Sequence, residues 1–295
     1  MPWWSGFEPI VRTDAPLADL TWYQLGGPAR WLVTPRDAAE LARVMSAIRG
    51  AGVAWRVLGK GANVLVRDRG FDGAVILLSA ESWSGVEFDF ANHAVEAGAG
   101  IDFNKLSKKV LARGLAGLER LAGIPGSFGG IIRMNAGGKY GSISEFVEWV
   151  RVLTPTGEIV DRPAAAVGFS YRHTQLADHI VLAARCRFSP ESRETLEARN
   201  REIWNEKYAT QPAVSQRSSG CVFKNPPNEK AGRLIDEAGL KGVRVGGAEI
   251  SPRHANFIVA GAGTTAQNVL DLIAIAQDRV RERTGISLEL EVEVW

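Results

Sequence analysis

The sequence predicts an α+β protein of three units. Three observations lead there. The 295 residues exceed the usual span of one domain. Apolar residues recur with a helical period in some segments and with a period of two in others. Many of the 32 glycines gather in two clusters, GKGA at 59–62 and a longer one over 123–141, where glycine serves unusual dihedrals or close approach to a ligand.

The elements follow in order. Residues 37–51 read as an amphipathic helix, with Asp37 and Glu40 spaced as a capping box and Leu41, Val44, Met45 and Ile48 on one stripe. Apolar runs at 55–58, 63–66 and 74–78 are predicted strands, and VEFDF and AVEAGAG within 86–100 a hairpin. A helix over 102–113 precedes the second glycine cluster. FVEWVRVLTPTGEIV reads as two strands around a Pro155-Thr156-Gly157 turn. In IVLAARCRF, Ile180, Leu182, Ala184, Cys186 and Phe188 share one face, so this middle region is a mostly antiparallel sheet with helices. A charged helix begins near 192, a helix over 229–239 follows, and a long helix over 265–284 is stopped by Gly285. ISLELEVEVW alternates without a break and predicts a final strand, with Glu289, Glu291 and Glu293 on its polar face.

Composition excludes several classes. With 45% apolar and 23% charged residues the chain can bury a sizeable core. A net charge of +2 gives no basis for nucleic-acid or membrane binding, and no apolar run approaches the ~20 residues of a membrane span. The N-terminal stretch lacks the pattern of a secretory signal. Two cysteines, Cys186 and Cys221, build no disulfide framework, and a reducing cytoplasm is expected. The four histidines have no ligand-like spacing, so no metal site is expected.

The glycine clusters carry the chemistry. In VLGKGANVLVRDRGFDG, Gly59 and Gly61 flank a strand end and free backbone N–H groups for an anion; a tight surface turn is the plain alternative. LAGIPGSFGGIIRMNAGGKYG holds seven glycines around Pro125 and Ser127. It is neither a Walker loop nor a dinucleotide fingerprint, and its apolar residues argue against a flexible linker. Two such clusters in neighbouring lobes suggest a large phosphate-bearing cofactor between them.

YQLGGPARWL, LGKGANVLVRDRGFDG, GIPGSFGG with MNAG, GFSYRHT, SSGCVFKNP, RHANFIV and LELEV fall in the order found in the UDP-N-acetylenolpyruvoylglucosamine reductase (MurB) family of peptidoglycan synthesis, which the chain resembles over roughly residues 20–295, in the compact form of its type II branch. The resemblance implies a two-lobed FAD-binding fold of the vanillyl-alcohol-oxidase/PCMH type, as lobes 1–80 and 81–190, plus a C-terminal α+β substrate-binding domain, 191–295, whose last strand packs back on the lobes. It implies noncovalent FAD, held by Gly59, Lys60, Gly61, Ala62, Asn63 and Val64 and by Gly123, Ile124, Pro125, Gly126, Ser127, Gly129, Gly130 and Asn135. NADPH would be the hydride donor, a nucleotide sugar the substrate, and the enzyme a cytoplasmic monomer.

Three positions carry over to catalysis. Arg172 in GFSYRHT would face the substrate carboxylate as negative charge builds there; by itself it reads as a surface arginine. Cys221 in SSGCVFKNP stands where many members have serine, and a thiol releases a proton more readily than an alcohol; a buried packing cysteine is the alternative, which suits Cys186 better. Alternation does not choose among the three glutamates; the resemblance selects Glu291 as the carboxylate working with the acid. Glu293 departs from the family, which often has arginine there. Asn225 matches a substrate-contacting position, and Lys207, Tyr208 and Gln211 are further candidate contacts. Two other readings remain at this stage: a flavin oxidase of the same superfamily, and a nucleotide-binding protein without catalysis.

Overall fold

A computed structural model describes residues 2–79 and 81–295; residue 80, the expected end of the first lobe, lies outside them. The chain divides into two compact units. Unit 1 comprises Met1–Thr13, Trp31–Lys60 and Gly73–Glu206, and unit 2 comprises Asp14–Arg30, Gly61–Asp72 and Lys207–Trp295.

In unit 1, helix α1 (Ala38–Gly50) starts at Asp37, whose carboxylate accepts from the Glu40 N–H at 2.8 Å. The expected capping box is not closed. The Glu40 carboxylate takes the Arg36 N–H and guanidinium instead. The buried stripe of Leu41, Val44, Met45 and Ile48 packs into a core with Val33, Ala74 and Ile76, against a sheet ordered Val11–Pro16, Pro28–Val33, Phe71–Leu77 and Trp55–Leu58. Its last two strands run parallel, so the chain between them, 59–70, crosses over instead of turning back as a hairpin.

The second sheet of unit 1 is antiparallel throughout, in the order Ile159–Pro163, Val147–Leu153, Ile180–Arg187, Ala94–Gly98 and Val86–Asp89. Helix α2 (Phe103–Leu111) and the one-and-a-half turns of α3 (Phe128–Arg133) bury Phe103, Leu106, Phe128 and Ile132 in the same core. Cys186 belongs there. It is 2% exposed, its neighbours Val95, Phe128 and Phe188 leave no room for a water molecule, and burial pushes its thiol up. The charged helix α4 (Arg193–Thr210) buries only Leu196 and Ile203.

In unit 2, α5 (Ala231–Glu237) and the long α6 (Ala266–Thr284) cover a three-stranded antiparallel sheet, Arg244–Val245, Ala248–Ile250 and Ile258–Ala260. The α6 stripe of Val269, Leu272, Ile273, Ala276 and Val280 is buried, and the helix ends at Gly285 in the left-handed conformation. The core of unit 2 draws on all three of its segments, joining Tyr23, Leu25 and Leu65 to Val222, Phe223 and Val292.

The predicted final strand is shorter than expected. Only Glu293–Val294 is paired as a strand, parallel to Val64–Leu65. Its alternation nevertheless persists upstream: Leu288 and Val292 are buried, whereas Glu289 and Glu293 are exposed. Residues 286–292 have no continuous partner strand and bond to a loop instead, which keeps the inside–outside pattern without a ladder.

Candidate active site

The two glycine clusters meet in unit 1. A Cβ placed on Gly59 would come 2.1 Å from Ser127 Oγ, so a larger residue there would push the Ser127 side chain out of its place at the start of α3. Ser127 caps α3 and is bridged to Asp102 in antiparallel fashion, with Phe103 N donating to Gly126 O and Phe128 N to Ile101 O. Gly126 has φ of +143°, a conformation essentially confined to glycine. Around this junction lies a cleft of about 370 Å3, lined by Gly59, Lys60, Ser79, Gly100, Asp102 and Ser127 and edged by Lys105 and Lys109.

Asp102 ties the cleft together. Its carboxylate takes the Lys60 ammonium at 2.6 Å and caps α2 by accepting from Lys105 N at 2.9 Å. Burial pushes the carboxyl up, but these two partners outweigh it and hold it below the ordinary carboxylate range. The first N–H groups of α3 are already engaged by Ile101 O, Ala99 O and Ser127 Oγ. An anion in this cleft would therefore be met by the backbone ahead of that helix, at 59–60 and 123–127, with Lys105 and Lys109 supplying positive charge. Backbone packed this closely beside unpaired-sign charge fits such a group.

Arg172 sits on a tight turn, also in unit 1. Ser170 and His173 exchange both backbone hydrogen bonds across it, at 3.0 and 3.2 Å. Arg172 occupies the third turn position with φ of +54°, where glycine is usual. The left-handed conformation costs a non-glycine residue roughly 1–2 kcal/mol and persists where surrounding contacts over-determine it. Those contacts are present: Thr174 Oγ1 donates to Arg133 O at 2.8 Å, Asn135 Nδ2 to Ser170 O at 2.9 Å, and Arg172 Nη2 to Gly137 O at 2.7 Å. The Tyr171 ring stands 5.0 Å from the guanidinium carbon.

The segments that carry Cys221 and Glu291 pair in unit 2. The segment 222–224 runs antiparallel to 289–291: Lys224 N donates to Glu289 O at 2.9 Å, Glu291 N to Val222 O at 2.8 Å, and Phe223 bridges Leu290. Glu291 is half-buried, in contrast to the exposed Glu289 and Glu293. Asn63 Nδ2 donates to Glu291 O at 2.8 Å, and Glu293 N to Asn63 O at 3.0 Å. One of the expected cofactor residues thus holds the backbone of Glu291. Cys221 is half-buried, unlike Cys186.

Sequence reasoning missed Asn256. It is buried, and its amide grips both backbone groups of Phe223, accepting from N at 2.9 Å and donating to O at 2.8 Å. Its own carbonyl accepts from Val222 N. It thereby fixes the segment that follows Cys221; RHANFIV was visible as a motif, but no pattern linked it to SSGCVFKNP. Asp102 was missed because a helix cap and a lysine partner 42 residues away leave no sequence signal.

The remaining expected contacts are placed as follows. Asn225 is exposed and its Oδ1 accepts from Ala231 N at 3.0 Å, at the start of α5. Lys207 and Gln211 are linked by a backbone bond at the end of α4, and Tyr208 is 68% exposed, with its carbonyl held by Arg253 at 2.5 Å. Gly61, Ala62, Asn63 and Val64 belong to unit 2, and Gly123, Ile124, Pro125, Gly129 and Gly130 to unit 1. Among the described residues no group of three or more His, Cys, Asp or Glu could hold a metal ion, and no helix is long and apolar enough to cross a membrane.

The chain matches two family models, an FAD binding domain over residues 29–162 and the C-terminal domain of UDP-N-acetylenolpyruvoylglucosamine reductase over 211–295. It is 43% identical to the UDP-N-acetylenolpyruvoylglucosamine reductase of Anaeromyxobacter dehalogenans strain 2CP-C, over 95% of this chain and 84% of that one. It is 37% identical to that of Streptococcus pneumoniae strain 70585, over 96% and 93%. The crystal structure of the Thermus caldophilus enzyme (MurB) superposes with a TM-score of 0.82 at 38% identity, over 97% of this chain and 99% of that one. A berberine bridge enzyme variant, at 16% identity and a TM-score of 0.52 over 64% of this chain and 43% of its own, shares the fold alone. Relatives this similar over nearly the whole length leave one assignment: the chain belongs to the UDP-N-acetylenolpyruvoylglucosamine reductase family.

Proposed function

We propose that this chain reduces UDP-N-acetylglucosamine enolpyruvate to UDP-N-acetylmuramate in peptidoglycan precursor synthesis, with Arg172, Cys221 and Glu291 as its catalytic residues. It is an FAD-dependent oxidoreductase that draws on NADPH. The observation that carries the reading is the meeting of the two glycine-dense loops at Gly59 and Ser127, which leaves a lysine-edged cleft suited to a dinucleotide's diphosphate. To cofactor binding we assign Gly59, Lys60, Gly61, Ala62, Asn63, Val64, Gly123, Ile124, Pro125, Gly126, Ser127, Gly129, Gly130 and Asn135. The functional division is 1–80 and 81–190 as cofactor lobes and 191–295 as the substrate domain, with Asn225, Lys207, Tyr208 and Gln211 on the nucleotide sugar. We place the enzyme in the cytoplasm as a monomer, with neither nucleic acid nor membrane as partner.

Bound FAD would supply the hydride chemistry, with NADPH as the source of the electrons and one carbon of the enolpyruvyl double bond as the acceptor. The protein's residues manage the charge and the proton. The Arg172 guanidinium binds the substrate carboxylate, into which negative charge spreads as the hydride arrives, and it stays charged throughout. Cys221 holds the proton at Sγ and delivers it to the other alkene carbon, so one hydride and one proton add across the bond. Glu291, half-buried beside the Cys221 segment, orients that proton donor.

An anaerobic two-step assay tests the function. NADPH should bleach the flavin, and the enolpyruvyl nucleotide sugar should then restore its colour. Restoration by oxygen but not by this substrate would assign the chain to an oxidase instead. Gly59→Ala tests the cradle, because a methyl group there overlaps Ser127 Oγ. Flavin retained through gel filtration should fall by at least about tenfold in affinity, ~1.4 kcal/mol; full retention would remove Gly59 from the bed.

A further inference from the structure

We infer that Asn135 is a positioning residue for Arg172, acting through the turn that carries it; this rests on the catalytic reading of Arg172 above. Asn135 follows α3 directly and is 6% exposed. Its backbone closes the helix. Asn135 N donates to Ile132 O at 3.0 Å and Ala136 N to Ile131 O at 2.9 Å, with φ of +40° at Asn135. This is a Schellman ending, in which the residue just past the cap is left-handed and is most often glycine. Glycine would close the helix here with less strain, so the asparagine side chain adds something that helix termination does not need.

What it adds is a clamp. Nδ2 donates to Ser170 O at 2.9 Å, the first residue of the Arg172 turn, while Oδ1 accepts from Ser144 N at 3.3 Å. Two residues further on, Gly137 O accepts from Arg172 Nη2 at 2.7 Å. One short stretch, 135–137, therefore grips the turn at its backbone and at its guanidinium. Two left-handed non-glycine residues, Asn135 and Arg172, are joined by these bonds. A guanidinium that must meet a carboxylate in register gains from a turn that cannot pivot, since small misplacement of a positioned group is costly in rate. Both amide contacts are with protein backbone, so any effect of the amide on Arg172 passes through the turn.

Asn135→Gly is the informative variant, because it keeps the left-handed helix ending and deletes only the amide. Asn135→Asp keeps the acceptor for Ser144 N and loses the donor to Ser170 O. Stopped-flow measurement of both half-reactions on each holoenzyme, alone and combined with Arg172→Ala, supplies the test. The expected result is a fall of about tenfold or more in the rate of flavin recovery by substrate relative to the rate of bleaching by NADPH in the same sample, with no further fall in the Arg172→Ala background. Equal slowing of both half-reactions, loss of flavin or a wild-type ratio in Asn135→Gly would overturn the inference, as would losses that add to those of Arg172→Ala. If Arg172→Ala itself recovers its flavin at the wild-type rate, the role of Arg172 fails first and takes this one with it.

Discussion

Cys221→Ala should slow recovery of the flavin by the enolpyruvyl substrate roughly 10²–10⁴-fold, the range for removing a positioned general acid, while NADPH still bleaches it. Two features support an effect this large. Cys221 is half-buried, not sealed in a core as Cys186 is. The backbone that follows it is fixed by the Asn256 amide and by Glu291 N on Val222 O, so the thiol projects from a rigid support. Cys221→Ser should retain much of the activity, since a hydroxyl can deliver a proton from the same place. Stopped-flow measurement of the two half-reactions separates the outcomes. If alanine impairs both steps alike, the thiol is structural and the proton comes from elsewhere.

Arg172→Ala is expected to cost the same half-reaction roughly 10²–10³-fold, as for loss of a preorganised group facing developing charge. Arg172→Lys should recover only part of this, because an ammonium cannot present the planar fork that matches a carboxylate. Flavin content should hold, since the turn that carries Arg172 is fixed by the Thr174 and Asn135 side chains, which the variant keeps. A variant that binds the substrate normally and turns over at the wild-type rate would remove Arg172 from catalysis. The positive φ at Arg172 adds a contrast: relief of backbone strain in Arg172→Gly should leave the fold at least as stable while activity is lost.

Much of the architecture was legible in the sequence because it follows from local periodicity. The buried stripes of α1 and α6 and the inward face of Ile180–Phe188 fall where the apolar residues recur. The glycine clusters were read for ligand approach, whereas the contact between them, Gly59 against the Ser127 side chain, had no sequence signal. What stayed hidden depends on partners far apart in the chain. Nothing local distinguishes a ten-residue alternating strand from the observed end, where only Glu293–Val294 finds a ladder and 289–291 bond to the Cys221 loop. Alternation also treats three glutamates as equals; their difference in burial arises from packing by residues more than sixty positions away. Glu40 shows the same limit at short range, its carboxylate preferring Arg36 to the cap that its spacing suggested.

Unit 2 is assembled from three separated stretches, and its core closes only when Tyr23, Leu25 and Leu65 join residues from 222 onward. The Tyr23 hydroxyl, buried deeply enough for burial to push its pKa up to about 12, donates to Ile258 O, 235 positions along the chain. The boundary at residue 211 that the family model draws is therefore not a line along which the protein can be cut. A recombinant fragment beginning there would lack its own wall and aggregate, and a ribosome must release almost the whole polypeptide before Tyr23 meets its acceptor. Shuffling of this half between genes would have to carry two upstream segments with it, Asp14–Arg30 and Gly61–Asp72.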